Sequence, residues 1–288
     1  MFGFLNVYKP TGMTSHDVVG YLRRVTKIKQ IGHTGTLDPF AEGVLPIAIG
    51  KATRLIEYLD DDKAYVGRFC FGKSTDTYDI EGEVVNVYEE KVSKEDVINI
   101  LTQFQGEIEQ YPPIYSAKKI KGKKLYEYAR EGVNDIEITP CKINIYKSEL
   151  LEFNKNEQWA DIYISCSKGT YIRSIANDLG KVLNNGCYLS KLKRVQAGLF
   201  EVNDAIPLEK IETPEFVEKS LLNPLNYLPQ QKQELNEVEY NRVLHGLPVY
   251  NRTKNQLGDI ILLTKNDELL AISTVVENGL KVKKVLHQ

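Results

Sequence analysis

The stretch from Gly32 to Pro46, GHTGTLDPFAEGVLP, limits what this chain can fold into more than any other. Gly32, Gly35 and Pro39 crowd around Asp38, so neither a helix nor a plain strand suits residues 32–39, and a shaped loop is expected there. A loop of this composition can hold one carboxylate in a fixed direction at the rim of a scaffold. Asp38 therefore has two readings: an oriented, reactive acid, or an Asx-turn whose carboxylate bonds backbone N–H groups ahead of Pro39. The stretch alone leaves both open.

The flanking sequence supplies the scaffold. Residues 3–8 have strand character up to Lys9-Pro10, and a turn at Thr11-Gly12-Met13 leads into a helix capped by Thr14 or Ser15, with Val18, Val19, Leu22 and Val25 on one face. After the loop, 44–49 reads as a buried strand and 51–59 as a helix with Leu55, Ile56 and Leu59 inward. Alternation from Tyr65 to Phe71 predicts a strand with two unlike faces, beginning at Tyr65. A polar loop, Thr75 to Gly82, precedes a strand over 83–88, and Ser93 with Asp96 starts a helix carrying Val97, Ile98, Leu101 and Phe104. Strands are expected over 136–153, broken near Thr139-Pro140, and over 159–167. The second feeds a helix that buries Ile172, Ile175, Ala176 and Leu179. Arg173 falls in its first turn, where the helix dipole disfavours a cation, so an anionic partner is expected.

Further strands over 188–194 and 198–202, a helix over 215–222 and a linker over 229–234 follow. A helix over 237–244 and a hairpin, 260–264 with 269–276, come last. An α+β protein of two domains is predicted: a large one over 1–229 and a small β-rich one over 236–288.

At 42% hydrophobic residues the chain can bury a substantial core. Its N-terminus lacks a basic segment followed by an apolar one, and no apolar run reaches spanning length, so a cytoplasmic protein with no membrane attachment is expected. The cysteines and histidines lack ligand-like spacing, which argues against a metal centre or a disulfide framework. A net charge of -2 speaks against a nucleic-acid partner, yet it divides into +4 over residues 1–54 and -6 over the rest. A second basic run, Lys118, Lys119, Lys121, Lys123 and Lys124, precedes Tyr126 and Tyr128. Cations beside aromatics neutralise phosphates and stack bases, although an isolated lysine run is commonly a solvated loop. Residues 111–135 around it read as a protruding, partly mobile insertion with a short helix near 124–130.

Several of these segments, in the same order, resemble the TruB-type tRNA pseudouridine synthases over residues 3 to about 200. They are the organising loop with Gly43-Val44-Leu45-Pro46, Lys9 to Ser15, Lys51-Ala52-Thr53-Arg54, Thr75 to Asp79, Tyr115 to Gly132 and Lys168 to Arg173. The resemblance implies a pseudouridine synthase fold, with a mixed central sheet and flanking helices, followed by a PUA-like RNA-binding domain. It also implies isomerisation of uridine 55 in the T loop of tRNA with no cofactor and no metal. A monomer is expected.

Residue by residue, the resemblance makes Asp38 the nucleophile. Breaking the glycosidic bond, rotating uracil and rejoining it through C5 needs no redox agent, and a carboxylate can attack C1′ or C6 or promote elimination at C2′. Arg173 corresponds to the arginine paired with that carboxylate, a contact that favours the ionised form, and Asp79 to the acid that orients the arginine. Tyr65 corresponds to the tyrosine that packs on the base and is a candidate to remove the C5 proton. Leu192 corresponds to an apolar residue of the uracil pocket, although Val195-Gln196-Ala197 beside it departs from a more polar family pattern. Flipping a base out costs roughly a few kcal/mol, and His33 corresponds to the residue that supports the extruded state. Lys9, Lys51 and Arg54 are expected to contact RNA or support the pocket, and Tyr171 to shape it. The insertion is expected to close over the RNA and the C-terminal domain to meet the acceptor end. Two rivals stand beside this reading: the catalytic subunit of an RNA-guided pseudouridine synthase, and a chaperone that helps tRNA fold without chemistry.

Overall fold

The computed structural model describes residues 1–116, 118–120, 122–131 and 137–286. Lys121 of the basic run, the end of the insertion at 132–135 and the strand start expected at Ile136 lie outside the described residues.

In chain order the elements are β1 (Gly3–Lys9), α1 (Ser15–Thr26), β2 (Ile31–His33), β3 (Glu42–Ile49), a 3-10 helix (Gly50–Tyr58), β4 (Lys63–Phe71), β5 (Lys73–Thr75), β6 (Val84–Val87), α2 (Lys94–Gln103) and β7 (Gly106–Gln110). The insertion holds β8 (Lys119–Ile120), β9 (Lys123–Lys124) and α3 (Leu125–Arg130). Then come β10 (Cys141–Asn154), β11 (Trp159–Cys166), α4 (Ile172–Val182), β12 (Cys187–Ala197), β13 (Phe200–Glu201), β14 (Ile206–Pro207) and α5 (Pro214–Lys219). The last elements are β15 (Gln231–Glu234), α6 (Glu237–Leu244), β16 (Ile260–Lys265), β17 (Glu268–Val276) and β18 (Gly279–Val285). The capping boxes form at Thr14 with Asp17 and at Ser93 with Asp96, which starts α1 and α2 where the sequence predicts.

Ten strands make one mixed sheet in the order β14-β1-β3-β12-β4-β11-β10-β7, with β2 on β3 and β13 on β12. The β3–β12 and β1–β14 pairs are parallel. A second sheet, β15-β16-β17-β18, follows, so the α+β architecture is the expected one. Cross-strand partners run Tyr65–Arg194–Gly43, which puts Tyr65, Leu45 and Ile47 on one face of the large sheet. On that face α2 and α4 cover one apolar cluster and α1 covers another. Phe4, Val44 and Leu55 instead share a core with Leu262 and Ile272 of the second sheet and with Leu286 just after it.

The structure differs from the sequence reading in several places. Gly32 and His33 are strand, paired with Ala48 and Ile47, so the loop proper starts at Thr34. The stretch read as a linker contains β15, which pairs in parallel with β16. Its amide-rich sequence misleads because Gln233 is buried and bonds Tyr250 O and Arg252 N through its side chain. Ile98 is 44% exposed, and Ile100 takes its expected inward place. Among the described residues, no helix is long and apolar enough to cross a membrane.

The parallel approach of β12 to β3 depends on Gly43. Its φ is +107°, and an added Cβ would lie 2.2 Å from the Arg194 carbonyl oxygen. Gly43→Ala is expected to cost about 3 kcal/mol or more, read as a lower denaturant midpoint. An unchanged midpoint would mean that the strands part there at no cost.

Candidate active site

The loop between β2 and β3 carries Asp38 to the N-terminus of α4. Arg173, in the first turn, meets it side-on: Nη2 donates to Asp38 Oδ1 and Nε pairs with Oδ2, each at 3.0 Å. Nη1 pairs with Asp79 Oδ2 at 3.3 Å and donates to Thr77 O at 3.3 Å, while Nη2 also donates to Tyr115 O at 3.0 Å. The anionic partner expected of a first-turn cation is thus two carboxylates of unlike exposure. The Arg173 and Asp79 side chains are 6% and 4% exposed, whereas Asp38 is 33% exposed and open to a ligand. Burial pushes the Asp79 carboxyl up; the Thr77 hydroxyl at 2.6 Å, Arg173 and the Glu81 N–H at 3.0 Å oppose it. Tyr78, at φ +65°, sets this second loop, and its carbonyl accepts from Leu189 N at 3.0 Å.

The turn at Pro39 is closed by backbone, Ala41 N to Asp38 O at 3.1 Å, with the carboxylate turned to Arg173. Buried polar side chains hold the rest of the loop. Ser15 Oγ accepts from Leu37 N at 2.8 Å. Lys9 is fully buried and donates to Pro10 O at 2.8 Å, Met13 O at 2.6 Å and Pro39 O at 3.4 Å. Burial pulls its ammonium down to about 8, and Asp38 partly offsets this. Arg194, also fully buried, donates from Nε to Val44 O at 2.7 Å and from Nη2 to Gly35 O at 3.1 Å. The sequence reading missed Arg194 as a site residue. Its phase was the available signal: two residues beyond Leu192 in a strand, it is a cation on the apolar face.

Tyr65 and Leu192 are buried in one cluster with Leu37 and Ala41, the residues that flank the Asp38 turn. Burial pushes the Tyr65 phenol up, and Arg194 opposes that shift. Tyr171 caps α4, its N–H held by Gln110 Oε1 at 2.8 Å and its carbonyl by Gln110 Nε2 at 3.0 Å. His33 ends β2 half-buried, and burial followed by the charge of Arg194 lowers its pKa. Lys51 and Arg54 lie on the 3-10 helix. Arg54 Nη1 donates to Val285 O at 2.8 Å, and Lys284 returns a bond to Arg54 O at 3.0 Å. The structure thus gathers Asp38, Arg173, Asp79, Tyr65, Leu192 and Tyr171, buries Lys9 behind the loop, and puts Arg54 at the seam with the second sheet.

In the insertion, α3 forms as predicted and the lysines are partly engaged. Lys118 donates to Thr139 O at 3.2 Å, Lys123 pairs with Glu131, and Lys124 reaches Tyr126 Oη at 3.1 Å. A cleft of about 400 Å³ adjoins the Asp38 loop, lined by Phe40 of that loop, Glu42 at the start of β3 and Leu192, with Val66, Arg68 and Lys193 among others. Val66 and Arg68 alternate with Tyr65, so this cleft reaches from Phe40 and Leu192 toward the opposite face of the sheet. An accessible carboxylate held by a buried guanidinium, in a loop that packs on a cluster containing a phenol, suits nucleophilic or base chemistry on an uncharged substrate.

A chain of the solved Cbf5-Nop10-Gar1 complex superposes with a TM-score of 0.76, covering 99% of this chain and 85% of that one at 24% identity. The fold is the one found in pseudouridine synthases. Residues 23–172 match the N-terminal domain of the TruB family pseudouridylate synthases. A relative in Caldanaerobacter subterraneus subsp. tengcongensis, called tRNA pseudouridine synthase B, is 41% identical over 98% of this chain and 97% of its own length. One of the same name in Clostridium perfringens is 40% identical over 99% of each. The chain belongs to the TruB family of pseudouridylate synthases.

Proposed function

We propose that this enzyme converts uridine 55 in the T loop of tRNA to pseudouridine, with Asp38 as the nucleophile toward a flipped-out base. The observation that carries the reading is the two-point contact of Arg173 with Asp38, which leaves that carboxylate 33% exposed in a loop whose Leu37 and Ala41 join the cluster of Tyr65 and Leu192. The tRNA substrate follows from relatives named tRNA pseudouridine synthase B. The N1–C1′ bond breaks, uracil turns, C5 joins C1′, and the C5 proton leaves while N1 regains one. Asp38 can begin this by attack at C1′ or C6, or by taking the C2′ proton. Tyr65 lies against the base and, as the phenolate that Arg194 favours, receives the C5 proton. Arg173 and Asp79 aim the nucleophile, Leu192 and Tyr171 shape the uracil pocket, and His33 fills space vacated in the T loop.

Lys9 supports the loop from behind, and Arg54 serves the seam at Val285. Lys51 and the insertion meet the RNA. Residues 1–229 form the catalytic domain, and 236–288 form a PUA-like domain that meets the acceptor end. The enzyme works in the cytoplasm as a monomer without cofactor.

The test is the purified chain alone on an unmodified T-arm hairpin carrying [5-³H]uridine. About one tritium per target uridine should reach solvent, with no guide RNA or partner protein added. Release only on addition of a guide would favour the RNA-guided rival, and binding without release would favour the chaperone.

A further inference from the structure

Arg194 is the largest fully buried side chain among the described residues. No carboxylate pairs with it there, and its acceptors are the carbonyls of Val44 and Gly35. A cation buried on carbonyls alone is costly, and a fold that needed only volume at this place would be served by an apolar side chain. Nη1 is buried as well and meets no acceptor in hydrogen-bond geometry among the described residues. A buried donor left unmade costs about 1–3 kcal/mol and calls for a reason.

The reason lies across the strand. Arg194 and Tyr65 are direct partners in the antiparallel β12–β4 pair, so their side chains share a face. The guanidinium already favours the charged form of the phenol, by its charge and by a side-chain contact, yet Nη1 makes no hydrogen bond of good geometry among the described residues. The same nitrogen lies 3.6 Å from where a Cβ on Gly35 would stand, three residues before Asp38.

We propose that Arg194 is a positioning residue for the reaction: Nε and Nη2 tie the Asp38 loop to the sheet, and Nη1 is held for the Tyr65 oxygen once uridine is bound. One rigid fork then fixes the distance between nucleophile and phenol, which a flexible lysine cannot do. This rests on the reading of Tyr65 as the residue against the base.

A double-mutant cycle tests it. Single-turnover tritium release from saturating T-arm RNA is measured for the unaltered enzyme, Arg194→Lys, Tyr65→Phe and the double variant, with RNA Kd and Tm alongside. Arg194→Lys is expected to slow release about 30-fold with Kd within about threefold, and to cost under about threefold once Tyr65 is Phe. Equal cost in both backgrounds, or a Kd that weakens in step with the rate, would overturn the proposal and reduce Arg194 to loop packing. Should the lysine variant not fold, Arg194→Gln enters the same cycle and is judged by the same outcomes. Absence of release by the unaltered enzyme would overturn the functional reading as well, whereas additivity with a working enzyme overturns only the role of Arg194.

Discussion

Asp38→Asn is expected to cut tritium release from [5-³H]uridine-labelled T-arm RNA by about ten-thousand-fold or more, while RNA Kd stays within about threefold. The substitution is nearly isosteric, and an amide oxygen can still accept from Arg173, so the loop between β2 and β3 keeps its course. That loop is held mainly by contacts Asp38 does not make: Ser15 to Leu37, Arg194 to Gly35, and Lys9 with the Gly12 N–H to Pro39. Arg173 keeps a full carboxylate partner in Asp79, so no buried cation is stranded and Tm should barely move. What the variant loses is the nucleophile itself, and none of the three routes to pseudouridine begins from an amide. Removing one negative charge from a surface that meets phosphates gives no reason for weaker binding. A rate above about a hundredth of the parent would take Asp38 out of the chemistry.

Local signals were sufficient for much of the frame. Thr14 with Asp17 and Ser93 with Asp96 announce α1 and α2, and the Lys265 to Glu268 turn, with Asn266 and Asp267 at φ 50° and 61°, joins β16 to β17. Backbone and dipole arguments alone single out Asp38 and Arg173. They do not show the two meeting, because that depends on β2, β3 and α4 converging from distant parts of the chain. Arg194 is half legible: its strand phase marks a cation on the apolar face, but its role requires the register of β12 against β4, which no local pattern carries. Lys9 was legible as important and illegible in direction. The sequence leaves Lys9 between RNA contact and support of the pocket, and the folded turn shows three carbonyls around its ammonium. β15 was lost for a related reason, since Gln-Lys-Gln-Glu looks solvent-loving until Gln233 finds buried partners.

Arg173→Met should harm both turnover and stability, and the two losses should separate. Turnover is expected to fall about a thousand-fold, because Asp38 loses both contacts that aim it. Stability is expected to fall by about 3–5 kcal/mol, the cost of leaving a buried charge without its partner. That charge is Asp79, whose side chain is 4% exposed. Its carboxyl is already pushed up by burial with Arg173 opposing, so the substitution pushes it further in the same direction. The sign follows from linkage. With the folded pKa above the unfolded one, the native state binds more protons in the window between them, and stability drops as pH rises through that window. The Tm gap between Arg173→Met and the parent enzyme should therefore narrow as pH falls from neutrality into the acid range. Adding Asp79→Asn to Arg173→Met should restore most of the lost stability at neutral pH and none of the turnover, since the aim of Asp38 is not repaired. If the double variant were as unstable as the single one, the stranded Asp79 charge would not be the cause. If it recovered turnover, Arg173 would act only by neutralising Asp79, and its two 3.0 Å contacts with Asp38 would have no part in catalysis.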